Sequence, residues 1–308
     1  MTCDGQDDRK HRLDPAGDCR TGMRGTIAGR QARGWAGAVA SALCALVLLV
    51  PDPASAQGVR PSDAVEANLR TGWRSDSTTH MAALHLRLAP GWITYWRVPG
   101  EGGLAPLLDW SGSHNVGAVT AHWPQPQLFD YPGYTSIGYA DELVLPLEIA
   151  LATPNQPSIL NGQITIGVCR DICMPVDLSI RAELPSRGHP DPQITAALAR
   201  APRPAHEAGL RHVACMVEPH ERGLSLAAEL LMPPLHTDEL VILELPDSPL
   251  WVRSLDTRRD GSTLTATAHV SAPPGKGDTA LVIDRAAVRV TVLGGPQAVE
   301  HEGCSSRD

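Results

Sequence analysis

The chain has 308 residues, with 26 basic and 34 acidic side chains, 28 glycines, 27 prolines and seven cysteines. Residues 1–56 hold seven of the basic and six of the acidic residues, so without them 19 basic side chains stand against 28 acidic ones, a net charge near −9. Such a surface repels nucleic acid and anionic lipid, which excludes those partners as binding targets.

At the amino terminus Arg24, Arg30 and Arg33 precede an apolar and small-residue stretch from Trp35 to Val50, followed by Pro51-Asp52-Pro53-Ala54-Ser55-Ala56. The stretch is shorter than the roughly 20 residues a spanning helix needs, and Ala54-Ser55-Ala56 offers small residues for cleavage before Gln57. Residues 1–56 are therefore expected to be a signal peptide and leader, removed on export to the periplasm, with Met23 as a candidate start. Cys44 follows Leu43, where lipoprotein processing requires a small residue, so it reads as one more hydrophobe of the signal. No later apolar run is long enough to cross a bilayer, so the expected product is soluble after cleavage.

Beyond Gln57, short alternating segments separated by Gly, Pro, Asn and Asp predict strands, and no long stretch shows apolar spacing at the helical period. Leu84, Leu86 and Leu88 alternate before Pro90-Gly91. Leu143, Leu145, Leu147, Ile149 and Leu151 share one face of another strand, and Pro146 within it argues for a sheet edge. Ile164, Ile166 and Val168 alternate into Cys169, while Val176, Leu178 and Ile180 alternate out of Pro175, the signature of a β-hairpin with cysteines at its reversal. Residues 188–207 combine proline-rich punctuation with a short Ala-rich segment and read as a linker holding one or two helical turns. The strand rhythm resumes at Leu224–Leu231, Leu240–Leu245, Leu264–Val270 and Ala280–Leu293. The expected architecture is all-β, with one sandwich over 57–187, a second over 208–297 and a polar tail over 298–308.

Four cysteines follow the leader: Cys169, Cys173, Cys215 and Cys304. In an oxidising compartment an even count makes disulfides the default. If Arg170-Asp171-Ile172 is a hairpin loop, Cys169 and Cys173 face each other across the ladder, where Cα separations of about 4.5 to 5.5 Å suit a disulfide. A ring that small yields only about 2 kcal/mol of chain-entropy stabilisation, whereas a link from Cys215 to Cys304 would yield roughly 4.6. A close pair at a hairpin tip offers instead a reachable sulfur, a leaving sulfur and a resolving thiol. Arg170 favours a thiolate on Cys169 and Asp171 opposes it. Three readings of the pair stay open here: a redox couple, an inert structural clip, and soft-sulfur Cu(I) binding with Met174 or a histidine.

The runs Gly91-Trp92-Ile93-Thr94-Tyr95-Trp96-Arg97-Val98-Pro99-Gly100, Asp109-Trp110-Ser111-Gly112-Ser113, Trp123-Pro124, Tyr134-Thr135-Ser136-Ile137-Gly138-Tyr139 and Gly167-Val168-Cys169-Arg170-Asp171-Ile172-Cys173-Met174-Pro175 occur in this order. Together they resemble the N-terminal periplasmic domain of DsbD and ScsB-type thiol:disulfide interchange reductases, strongly over residues 65–185. The resemblance implies tandem immunoglobulin-like sandwiches, catalytic cysteines at Cys169 and Cys173, and an aromatic cap over them, with Phe129, Tyr131, Tyr134 and Tyr139 as candidates. Trp92, Trp96, Trp110 and Trp123 read as sandwich core or rim. It further implies protein-disulfide reductase chemistry without a cofactor, and partners among thioredoxin-like periplasmic proteins or disulfide isomerases. No membrane conduit or thioredoxin-like domain follows in this sequence, so electrons are expected from a membrane electron-conduit protein supplied in trans. The alternative from another class is a two-domain binding module whose hairpin disulfide is only structural. Neither a nucleotide-binding loop nor a zinc spacing nor a G-x-S-x-G elbow occurs.

Overall fold

The computed structural model describes residues 63–306 apart from 222, 247 and 274–280, so the expected signal peptide and Cys44 lie outside the described residues. Ten strands come first: β1 (Val65–Arg74), β2 (Thr79–Leu88), β3 (Ile93–Gly100), β4 (Leu107–Asp109), β5 (Val116–Ala121), β6 (Gln127–Tyr131), β7 (Tyr134–Ala140), β8 (Glu142–Leu151), β9 (Ser158–Cys169) and β10 (Cys173–Leu184). A helix α1 (Pro192–Leu198) follows, then β11 (Arg203–Pro204), β12 (His212–His220), β13 (Gly223–Leu231), β14 (Glu239–Glu244), β15 (Trp251–Asp260), β16 (Thr263–Ser271), β17 (Arg289–Gly294), β18 (Gln297–Glu302) and β19 (Ser305–Ser306).

The first ten strands make two facing sheets. One runs β1-β2-β8-β5; the other runs β10-β9-β3-β7-β6, with β4 added against β9. Alternation decides the faces: Leu143, Leu145, Leu147, Ile149 and Leu151 of β8 are all buried, and they meet Trp96, Ile164, Ile166 and Val168 of the opposing sheet in one core. Each such aliphatic side chain contributes roughly 1.5 to 3 kcal/mol by leaving water.

Pro146 overturns the expected sheet edge, because β8 lies between β2 and β5. The Pro146 carbonyl accepts a hydrogen bond from the His122 amide at 2.9 Å, just past the end of β5 at Ala121. Since N–H and C=O of one strand residue point the same way, the N–H that proline lacks would face the place where β5 has already stopped. An interior strand therefore tolerates the proline at the loss of one terminal ladder bond.

Residues 188–207 are more structured than a solvated linker. Asp191 caps α1 by accepting from the Gln193 and Ile194 amides, with Pro192 in the first turn. Ile194 and Ala197 are buried with Met81, Ala83 and Val144 on the outer face of the β1–β2–β8–β5 sheet. Arg70 clamps the cap through two hydrogen bonds to Asp191 Oδ2, at 2.9 and 2.6 Å.

The later strands form a second sandwich from the sheets β11-β18-β17-β14 and β15-β16-β13-β12-β19. Val241 and Leu243 of β14 and Val290 and Val292 of β17 face the core of this sandwich. Ile242, Leu293 and Ala298, on the other face of the same sheet, pack into the core cluster of the first sandwich. That sheet is buried on both sides, which explains why residues 240–243 are apolar at every position rather than alternating. The stretch 298–308, expected as a polar tail, instead carries most of β18 and all of β19, with Ala298 and Val299 buried.

Candidate functional site

β9 and β10 pair in register from Ser158↔Leu184 to Cys169↔Cys173, leaving Arg170-Asp171-Ile172 as the loop. The facing cysteines are joined as a disulfide, with Cα atoms 4.1 Å apart, closer than the ladder spacing predicts. The two sulfur-bearing residues differ in environment. Cys169 is 7% exposed and sits opposite Ile93 of β3, packed with Ile93, Tyr95, Phe129 and Ala140. Cys173 is exposed. Ile172 beside it is a large apolar side chain left 65% exposed at the tip.

Tyr95 is the residue that sequence reasoning assigned only to a motif. Its hydroxyl lies 3.2 Å from Cys173 Sγ and 3.4 Å from the Gly102 carbonyl. The ring fits a slot between two glycines: a Cβ on Gly103 would come within 2.7 Å of it, and one on Gly167 within 2.8 Å. Burial raises the Tyr95 pKa, with Tyr131 and Tyr134 adding to the effect, so the hydroxyl keeps its proton and remains a donor. A glycine inside the apolar strand Ile164-Thr165-Ile166-Gly167-Val168 was the signal available in the sequence, since such a glycine marks a close approach.

The four aromatic cap candidates separate. Phe129 of β6 packs in the small cluster that holds Cys169 and Tyr95. Tyr131 and Tyr134 flank the Pro132-Gly133 turn and stack with ring centroids 5.0 Å apart. Tyr134 also lies over Gly102, whose carbonyl meets the Tyr95 hydroxyl. Tyr139 is buried in the main core and donates to the Pro124 carbonyl at 2.7 Å; burial holds its pKa well above the usual phenol value against the opposing pull of Arg97 and Arg200. It is a packing residue. Trp92 and Trp96 are core, and Trp110 and Trp123 pack on its rim, as expected.

Arg170 donates to Asp171 at 2.8 Å and stands over the Trp92 ring at 5.1 Å, so its charge is shared between a neighbouring carboxylate and an aromatic face. Cys215, in the second core, is bonded to Cys304 with Cα atoms 5.6 Å apart. Among the described residues no group of three or more His, Cys, Asp or Glu side chains converges as a metal site, and no helix is long and apolar enough to cross a membrane.

A small disulfide between one exposed and one buried cysteine, with a phenol beside the exposed one, is equipped for thiol–disulfide exchange. Comparison with known proteins points to the same chemistry. The family described as thiol:disulfide interchange protein DsbD, N-terminal, matches residues 59–184. Among solved structures, the N-terminal periplasmic domain of ScsB from Proteus mirabilis matches at 25% identity and a TM-score of 0.57, covering 82% of this chain and 97% of its own. That coverage exceeds what residues 59–184 supply, so the likeness extends into the second sandwich. The N-terminal domain of Neisseria meningitidis DsbD in its reduced form matches at 16% identity and a TM-score of 0.26, covering 43% of this chain and 95% of its own. No curated protein matches the chain. The chain is thus an all-β protein of tandem immunoglobulin-like sandwiches, whose residues 59–184 match the DsbD N-terminal family of thiol:disulfide interchange proteins.

Proposed function

We propose that this protein is an exported, periplasmic electron carrier that exchanges disulfides with thioredoxin-like partners through Cys173, with Cys169 as the resolving thiol. The observation that carries the reading is the unequal exposure of the two joined cysteines. In the reduced protein the Cys173 thiolate attacks a partner disulfide. One sulfur–sulfur bond breaks, the partner's leaving sulfur departs as a thiolate, and a mixed disulfide links the partner to Cys173. Cys169, deprotonated, then attacks Cys173 Sγ, restoring the internal disulfide and releasing the partner's second sulfur as a thiolate. Two electrons have passed to the partner. Recharging runs the same steps backwards from a donor in trans, a membrane conduit being the class that fits, and no cofactor enters.

The test is trapping. Cys169→Ala, which keeps the exposed thiol and removes the resolving one, should accumulate mixed disulfides with periplasmic proteins that mass spectrometry identifies. Cys173→Ala should accumulate few. Equal trapping by both variants would overturn the assignment of roles, and no trapping by either would favour the inert clip. A reduction potential below about −300 mV would point the same way as no trapping.

A further inference from the structure

We propose that the second sandwich is part of the redox site: Arg97, gripped by Glu244 and Glu300, is a positioning residue that holds the Tyr95 hydroxyl on Cys173. This inference rests on the exchange chemistry proposed above and assigns that chemistry a second-domain component.

Three observations support it. The first is covalent proximity, since Tyr95 and Arg97 are two residues apart in β3. The second is the weakness of β3 there. Its ladder with β7 runs from Ile93 to Tyr95 and resumes only at Gly100 after a register shift, and its ladder with β9 covers Ile93 and Thr94 alone. The strand just behind Tyr95 is therefore not fixed by its own sheet. The third is what fixes it instead. Arg97 is largely buried and forks onto Glu244 of β14 with Nε–Oε1 and Nη2–Oε2 distances of 2.9 Å each. It also donates to Glu300 of β18 and to the fully buried Thr291 of β17, while its guanidinium lies 4.2 Å from the centroid of the Trp96 ring. Three strands of the second sandwich thus hold one point on the strand that carries the phenol. A guanidinium–carboxylate fork fixes direction as well as distance, so displacement at Arg97 reaches Tyr95 through two peptide units.

The consequence is a coupling between the interdomain contact and the disulfide. A hydroxyl donating to Cys173 stabilises the reduced thiolate more than the disulfide sulfur, so it raises the equilibrium constant for reduction. The test is a double-variant cycle on the full chain, reading that constant against a dithiothreitol buffer. Tyr95→Phe should lower it roughly threefold to tenfold, the worth of one hydrogen bond, or about 15 to 30 mV for two electrons. Arg97→Met should lower it at least threefold, Arg97→Lys less, and the double variant no further than Tyr95→Phe alone. Glu300→Gln, which keeps the Glu244 fork, gives a folded intermediate case if Arg97→Met does not fold, and is expected to lower the constant in the same direction. The proposal is overturned if Arg97→Met and Glu300→Gln match the wild type, if the two effects multiply, or if Tyr95→Phe changes nothing. A non-additive cycle in a protein that traps no partner would support the coupling and remove the carrier reading alone.

Discussion

Removing the Cys215–Cys304 disulfide should unfold the protein far more readily than removing Cys169–Cys173, although the latter is the bond at the candidate site. The two bonds differ in the ring they close: their sequence separations are 89 and 4, rings of 90 and five residues. Restricting the unfolded chain with these rings is worth about 4.6 and about 2 kcal/mol respectively. Position adds to the difference, because Cys215 is fully buried in the second core while Cys173 is exposed. For a folded unit of this size the larger figure corresponds to a fall in Tm of roughly 9 to 18 °C. Urea unfolding of Cys215→Ala/Cys304→Ala and of Cys169→Ala/Cys173→Ala, each against the wild type, measures both losses under one protocol. A hairpin-pair variant that loses as much stability as the long-range pair would refute the division of labour between a staple and a working bond.

Two further outcomes follow from particular contacts. Gly167→Ala places a methyl 2.8 Å from the Tyr95 ring and 2.9 Å from Leu104 Cβ, so it should cost about 1 to 3 kcal/mol and shift the reduction equilibrium in the direction of Tyr95→Phe; unchanged stability together with an unchanged equilibrium would show that the slot is not tight. His80, fully buried, is held below its usual pKa by burial and by the Arg74 charge, against a hydrogen bond to the Thr71 carbonyl at 2.5 Å. The unfolded chain takes up that proton near pH 6.5 while the folded one resists it, so this stability is present above 6.5 and is lost as the pH falls from there toward the folded pKa. Urea midpoints at pH 7.5 and 5.5 should therefore lie closer together in His80→Gln than in the wild type, and an equal gap would place the acid sensitivity elsewhere.

What the sequence made legible follows from the range over which each signal acts. The period of two in Leu143–Leu151 and the cysteine-flanked reversal are local, and both became strands with the expected faces. The Pro146 rule failed because it speaks of one missing N–H, and whether a neighbour needs that N–H depends on where β5 ends. Residues 240–243 read only as a strand, because their burial on both faces depends on the other sandwich, which no local signal names. At the site, the cysteines announced themselves, whereas Tyr95 was masked by the aromatic residues around it and depends on glycines eight and 72 residues further on. Arg97 is less legible still. A single arginine in a strand names no partner, and its carboxylates lie 147 and 203 residues away.

The sheltered position of Cys169 behind an open Cys173 has a kinetic meaning. In the exchange proposed above, a partner attached through Cys173 is ejected from behind by Cys169, a thiol already in place. Departure then needs no second collision, so the lifetime of the attached state is a property of the protein's interior rather than of the concentration of anything in the surrounding medium.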